Sequence, residues 1–181
     1  MVRPRILLRT RRDRTARTGV VTARVLVAGV GNIFFGDDGF GPAVAQRLAG
    51  ETIPDARIAD FGIRGMHLAY ELLSGYAAAV LIDAVPRGGE PGTLYVIEPE
   101  PVKSGMAPDA HRMDLENVFA CARMLGGEPP PVTIVGCEPA TIDEGIGLSP
   151  TMERAVEAAL PLVRRVVAAA AATTMDATAG I

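Results

Sequence analysis

The sequence predicts a three-layer α/β domain, with helices on both faces of a twisted, mainly parallel sheet of five strands, one of them antiparallel. Short apolar segments alternate along the chain with longer segments that begin at proline or serine or end at glycine, as in folds built from strands and helical crossovers. The segments 25–30 and 78–82 hold no polar side chain, as expected of strands buried on both faces. The length of 181 residues corresponds to one domain.

Each element is bounded by turn or capping residues. The predicted strands cover residues 24–30, 56–61, 78–83, 93–98 and 131–137. The predicted helices cover residues 41–49, 66–73, 113–125 and 150 to about 172. Pro42 is tolerated in the first turn of the first helix, and Gly50 ends it. Ser149 and Pro150 supply the N-cap and the first residue of the last helix. Pro161 predicts a kink within that helix.

The connection between the third and fourth strands is short. Residues 85–92 are rich in proline and glycine, and a parallel crossover needs about a dozen residues or more, usually with a helix. The fourth strand is therefore predicted to run antiparallel to the third.

Charge is unevenly distributed between the start of the chain and the rest. Residues 1–24 hold eight Arg and one Asp, whereas residues 25–181 hold 10 basic and 20 acidic side chains. We expect residues 1–23 to be a basic, disordered arm or an over-extended start of the reading frame. Residues 24–172 are predicted to form a single domain, and residues 173–181 a frayed tail. The acidic folded part argues against nucleic acid as a partner, because nucleic-acid-binding domains cluster Lys and Arg on their folded surface.

Cysteine content and hydropathy argue against a disulfide or zinc scaffold and against a membrane-spanning protein. Cys121 and Cys137 are too few for a disulfide scaffold, and neither belongs to a C-x-x-C pair that would suggest a zinc site. This usage fits a reducing cytoplasm, which we expect as the location. Both cysteines are expected to be buried and unreactive. No run of 18 or more apolar residues is present, so no membrane span is predicted.

Three polar groups are predicted to meet at one edge of the sheet, because ligands of open α/β sheets bind beyond the carboxyl ends of the strands. Asp37 and Asp38 lie in the glycine-rich loop 29–41 after the first strand. Asp83 ends the third strand, and His111 precedes the third helix. Two carboxylates and one imidazole suit a borderline divalent ion, so Asp38, Asp83 and His111 form a candidate metal site. Asp37 is expected to cap the first helix and complement its dipole.

The same loop has a dinucleotide-binding alternative. Gly29 and Gly31 form half of a G-x-G-x-x-G fingerprint, but Phe34 occupies the third glycine position. Asp37 and Asp38 stand where a helix N-terminus would accept phosphate, and their charge opposes an anion. The metal-site interpretation is preferred, although a cap, a turn contact or a surface histidine would explain each residue taken singly.

Several motifs occur in one order along residues 24–168, and each is weak alone. They are Gly29-Val30-Gly31-Asn32, Asp37-Asp38-Gly39-x-Gly41, Gly62-x-x-Gly65-x-x-Leu68, Ile82-Asp83-Ala84, Pro91-Gly92-Thr93, His111, Val135-Gly136-Cys137-Glu138-Pro139 and Leu148-Ser149-Pro150. This ordered set resembles the hydrogenase maturation endopeptidases, which trim the large-subunit precursor of nickel–iron hydrogenases.

The resemblance implies a metal-dependent endopeptidase, of a family classed as aspartic-type, that removes a C-terminal extension after nickel insertion. Carried over by position, Asp38, Asp83 and His111 would be its metal-binding and catalytic residues. Nickel would be supplied by the precursor, and other divalent ions could occupy the site. Some relatives of the family have Glu at the position of Asp38. Residues 60–65 differ from the Gly-Gly-Thr version of other branches, and this difference bears on which hydrogenase the protein serves. The implied partner is the precursor, with no nucleic acid or membrane, and a monomer is expected.

The chemistry of cleavage has open alternatives. The metal could polarise the scissile carbonyl or lower the pKa of a bound water, with Asp38 or Asp83 as general base. The two carboxylates could instead form an aspartic-protease dyad, although an imidazolium at His111 would lower the pKa of both. A Cys–His protease is a weaker alternative. A non-catalytic nickel-sensing checkpoint or metallochaperone that binds the same precursor fits the ligands almost as well.

Three other side chains have expected placements. His67, in the second helix, is expected to be structural. Phe34 and Phe35 could pack beneath the loop or face a peptide substrate, and we expect one to point inward and the other outward.

Overall fold

The computed structural model describes residues 24–99 and 112–179. The predicted arm, residues 1–23, and His111 lie outside the described residues. The strands are β1 (Val25–Val30), β2 (Ala56–Gly62), β3 (Ala78–Ala84), β4 (Leu94–Ile97) and β5 (Val132–Cys137). The helices are α1 (Phe40–Leu48), α2 (Gly65–Leu72), α3 (Arg112–Met124) and α4 (Pro150–Ala179), and a 3₁₀ turn, Gly36–Gly39, precedes α1.

The five strands form one sheet in the order β2-β1-β3-β5-β4. Four strands are parallel, and β4 pairs antiparallel with β5. The predicted fold class and the predicted direction of β4 are therefore confirmed. The neighbour of β4 is β5 rather than β3. The short connection after β3 determines only the direction of β4, and β5 occupies the position beside β3. As the edge strand, β4 has only four residues, which limits the unpaired backbone it exposes.

Two apolar clusters fill the space between the layers. On one face, α1 and α4 cover the sheet, and Val27, Val80 and Phe40 belong to the cluster there. On the other face, α2 and α3 pack against residues that include Leu26 and Leu81. Successive residues of β1 and β3 thus belong to opposite clusters, so the strands without polar side chains are buried on both faces as predicted.

The last helix is longer than predicted. Its expected end near residue 172 is corrected by a helix that extends to Ala179. Pro161 lies inside this helix and is exposed. Ala159 and Val163, on either side of it, are fully buried against the sheet. These contacts offset the hydrogen bond that a proline removes. None of the helices in the described ranges has an apolar stretch long enough to cross a membrane.

Two glycines bring α1 close to the carboxyl ends of the strands. A Cβ at Gly41 would lie 2.1 Å from the carbonyl oxygen of Ile82 and 2.2 Å from that of Val30. A Cβ at Gly29 would lie 2.4 Å from the carbonyl oxygen of Gly41. No side chain fits between these backbones, so the start of α1 rests directly on β1 and β3.

We predict that Gly41→Ala destabilises the protein by about 2 kcal/mol or more, because an added methyl group in a filled space forces the backbones apart. The free energy of unfolding in urea measures the change. Gly50→Ala is the matched control, since a Cβ there meets no atom within 4 Å. A Gly41→Ala variant as stable as the Gly50→Ala variant would contradict this account of the packing.

Candidate functional site

The loop between β1 and α1 brings two predicted site residues together. Gly31 has a φ of +129°, which side-chain-bearing residues rarely adopt, and a Cβ there would lie 2.0 Å from the backbone oxygen of Asp38. The same position is 3.6 Å from Oδ1 of Asp83. The backbone of Asp38 and the carboxylate of Asp83 therefore both lie next to one glycine, at the carboxyl edge of β1 and β3.

The Asp38 carboxylate is held by the loop that carries it. The backbone N–H of Asn32 donates to Oδ2 of Asp38 at 2.7 Å, and the backbone N–H of Asp38 donates to the carbonyl of Phe35 at 3.2 Å. Oδ1 of Asn32 accepts a hydrogen bond from the N–H of Phe34 at 3.1 Å. Asp38 and Asp83 are both partly buried. Neither residue of the site is thus fully buried.

The third predicted ligand, His111, belongs to the segment that the structure does not describe. Within residues 24–99 and 112–179, no group of three His, Cys, Asp or Glu side chains is arranged to hold a metal ion. The triad of Asp38, Asp83 and His111 stays a prediction, of which the structure places the two carboxylates.

Asp37 does not cap α1, which corrects the expectation from sequence. Its side chain is fully buried and accepts hydrogen bonds from the backbone N–H groups of Ala140 at 2.9 Å, Thr141 at 3.3 Å and Ser149 at 2.7 Å. The hydroxyl of Ser149 donates to it as well, at 3.0 Å. The same hydroxyl accepts from the N–H of Met152 and caps α4 as predicted. Asp37 thus joins the loop of Asp38 to residues 138–149 and to the start of α4.

Glu138 is a second buried carboxylate, whose role was not identified from sequence. It accepts from the backbone N–H groups of Arg87, at 2.8 and 3.0 Å, and of Gly88, at 3.0 Å, and from the hydroxyl of Tyr95, at 2.9 Å. Burial raises the pKa of Glu138, but these hydrogen bonds outweigh burial and hold its pKa below the ordinary value. The available signal was an acidic residue directly after an apolar strand. Glu138 orders the loop that follows Asp83.

Tyr95 and Arg87 form one structural unit with Glu138. The hydrogen bond to Glu138, together with burial, raises the pKa of Tyr95. The guanidinium of Arg87 lies 5.6 Å from the centre of the Tyr95 ring, within the range of a cation–π contact. The three residues tie the loop after β3 to the edge strand β4.

Cys137 is buried, as predicted. Its thiol lies 3.3 Å from the sulfur of Met152. Burial, with further contributions from the Asp37 and Glu138 carboxylates, raises the pKa of Cys137 to about 12. This residue is therefore not a thiolate at neutral pH, which removes support from Cys137 as the nucleophile of a Cys–His protease. Cys121 is partly exposed on α3, which corrects its expected burial.

Both phenylalanines of the first loop are exposed. Phe34 and Phe35, of which one was expected to point inward, each present a large part of their side chains to solvent, as does Ile33 before them. His67 is an exposed residue of α2.

The fold is that of a known class of peptidase. The solved hydrogenase-maturating endopeptidase HybD of Escherichia coli superposes on this chain with a TM-score of 0.64 and 30% sequence identity. The match covers 77% of this chain and 89% of that one.

The chain belongs to the hydrogenase maturation protease family and is a peptidase. The family model of that description matches residues 42–166. The hydrogenase 2 maturation protease of Escherichia coli (strain K12) is 32% identical over 144 residues, which are 77% of this chain and 88% of that protein. The hydrogenase expression/formation protein HupD of Rhodobacter capsulatus is 33% identical over 144 residues, covering 76% of this chain and 68% of that protein.

We predict that Asp37→Asn lowers the free energy of unfolding by about 3 kcal/mol. The amide nitrogen of Asn would face N–H donors, and the buried hydrogen bonds to a charged group would be lost. Chemical denaturation measures the loss. Asp55→Asn is the matched control: Asp55 is exposed with a φ of +57°, which asparagine tolerates. Equal stability of the two variants would show that the Asp37 hydrogen bonds do not join the loops.

We predict a pH-dependent contribution from Glu138. Because its folded pKa is lowered, its stabilising effect is fully present above the ordinary carboxylate value of 4.5 and is lost as pH falls through the folded pKa below that value. Glu138→Gln should therefore be less stable than the wild type at pH 7, and the difference should shrink below pH 4.5. Denaturation curves from pH 7 to pH 3 test this.

The matched control for Glu138 is Glu144→Gln, at an exposed position in the same connection, which should follow the wild-type profile. A Glu138→Gln deficit that stays constant over the whole range would contradict the assignment.

Proposed function

We propose that this peptidase removes the C-terminal extension of a nickel–iron hydrogenase large-subunit precursor after nickel has been inserted. One observation supports the proposal: the backbone of Asp38, in the 3₁₀ turn, and the carboxylate of Asp83, in β3, both lie next to Gly31. The relatives are named as hydrogenase maturation proteases, which supports hydrogenase as the target.

The donor set fits a metal ion that arrives with the substrate. Asp38 and Asp83 supply carboxylate oxygens, and we propose His111 as the imidazole ligand beside them. Oxygen and imidazole donors suit a borderline divalent ion such as nickel. A site with only three protein ligands binds a free ion weakly, but it binds well when the precursor brings ligands of its own. The peptidase would thereby distinguish the nickel-loaded precursor from the empty one.

The cleavage step depends on where the carboxylates are held. Asp38, Asp83 and His111 would hold a divalent ion, which would supply polarisation of a carbonyl group or a lowered pKa of water. We propose Asp38, which accepts a hydrogen bond from the N–H of Asn32, and Asp83, near the end of β3, as the candidates for the general base. An aspartic-type mechanism would use the same two residues as a pair that shares one proton.

The cellular setting belongs to the same proposal. We expect the chain to act as a monomer in the cytoplasm, with the precursor as its partner and neither nucleic acid nor membrane involved. Two free cysteines are consistent with a reducing compartment.

Intact mass spectrometry of the precursor tests the proposal. The protein is mixed with nickel-loaded and with nickel-free large-subunit precursor, and loss of a C-terminal peptide is expected from the loaded form alone. Asp38→Asn, Asp83→Asn and His111→Ala should each slow cleavage by about 10²-fold or more. Asp55→Asn, remote from the site in sequence and exposed, should cleave at the wild-type rate.

The outcomes separate the alternatives. Stable binding of the loaded precursor without loss of a peptide would identify a checkpoint or metallochaperone and refute the cleavage step. Wild-type cleavage by His111→Ala would show that the triad is wrong, while leaving the peptidase assignment intact.

A further inference from the structure

Four large apolar side chains are exposed on the two loops that meet beside Asp38. Three are consecutive, with exposed fractions of 47% for Ile33, 59% for Phe34 and 38% for Phe35. The fourth is Ile146, at 83%. We call these four residues the apolar rim. They belong to neither apolar cluster of the core, and a run of three exposed apolar residues is disfavoured in a folded protein unless it has a function.

Backbone hydrogen bonds make the apolar rim continuous. The N–H of Gly145 donates to the carbonyl of Phe34, and the N–H of Gly36 donates to the carbonyl of Gly145, both at 2.9 Å. Phe35 and Gly145 therefore form a short parallel bridge, and Ile146 is the next residue. The buried Asp37 holds the same two loops together.

The apolar rim is also continuous with the candidate site. Asn32 bonds to the carboxylate of Asp38 through its N–H and to the N–H of Phe34 through its side chain. The apolar rim therefore adjoins Asp38, and contact with an apolar peptide there would remove apolar surface from water on both partners.

The charges around the apolar rim restrict the chemistry of that peptide. Residues 31–39 and 138–149 contain five acidic residues and no Lys or Arg. Asp143 and Glu144, just before Ile146, are exposed. A peptide with carboxylates at this point would be repelled, whereas a neutral or basic apolar segment is complementary.

We propose that the apolar rim is the docking surface for the segment of the precursor that adjoins the cleaved bond, and that this segment is extended, apolar and free of acidic residues. The inference rests on the proposed function and adds the chemistry of the peptide that the site accepts. The apolar rim contributes binding of the peptide, and Asp38 and Asp83 contribute its cleavage.

Steady-state cleavage of the nickel-loaded precursor tests the apolar rim. Phe34→Ser should raise KM by about tenfold with kcat within twofold of the wild type, because it removes binding that is equal in the ground state and the transition state. Ile146→Ser should do the same to a smaller extent. The matched controls are Tyr70→Ser and Met124→Ser, whose side chains are exposed to similar fractions, 56% and 87%, on α2 and α3. Both controls should leave KM unchanged.

The direct binding of the loaded precursor is measured in the same variants, so that the apolar rim is tested even if no cleavage occurs. Weaker binding by both rim variants, but not by the controls, supports the docking surface. An unchanged KM and an unchanged Kd in Phe34→Ser and Ile146→Ser overturn it and leave the peptidase assignment standing. Absence of cleavage by the wild type, with binding that depends on the apolar rim, would instead refute the proposed function alone.

The acidic surroundings have a test of their own. A precursor whose apolar residues next to the cleaved bond are replaced by Asp should bind the wild type several-fold more weakly, and replacement of the same residues by Ser should have a smaller effect. Equal losses with Asp and with Ser would overturn the charge argument, because burial of apolar area alone would then explain the binding.

Discussion

A buried carboxylate with four hydrogen bonds joins the candidate site to the rest of the molecule. Asp37 accepts from three backbone N–H groups and one hydroxyl, all supplied by the connection between β5 and α4. A buried charge is stable only when it is paired or hydrogen-bonded, so the loop of Asp38 and the connection from β5 depend on each other. Displacement of either one would leave the Asp37 carboxylate without its donors.

The sheet supplies the second constraint on the site. Because Gly29 and Gly41 allow α1 to rest on β1 and β3, the 3₁₀ turn before α1 is held directly above the strand ends. Asp38 is carried by that turn and Asp83 by β3, so backbone packing brings the two residues to the same edge of the sheet. Glu138 also holds a segment near the site, because its hydrogen bonds with the N–H groups of Arg87 and Gly88 order the loop after Asp83.

Much of the architecture could be predicted from local patterns. The apolar segments of β1 and β3 predicted strands buried on both faces, and the short connection after β3 predicted the direction of β4. Which strand lies beside β4 could not be predicted, because pairing depends on contacts between distant segments. The length of α4 was underestimated for a related reason: its course through Pro161 depends on the burial of Ala159 and Val163 against the sheet.

The sequence established the order of the elements, the edge of the sheet where polar residues follow strands, and the motifs that place the chain in its family. It did not distinguish the roles of two adjacent aspartates. Asp37 and Asp38 have the same side chain and lie in the same turn, yet Asp37 is buried and Asp38 keeps contact with water. The donors that bury Asp37 come from residues more than 100 positions further along the chain. The tertiary structure made this distinction, because only the folded chain brings those donors to one of the two carboxylates.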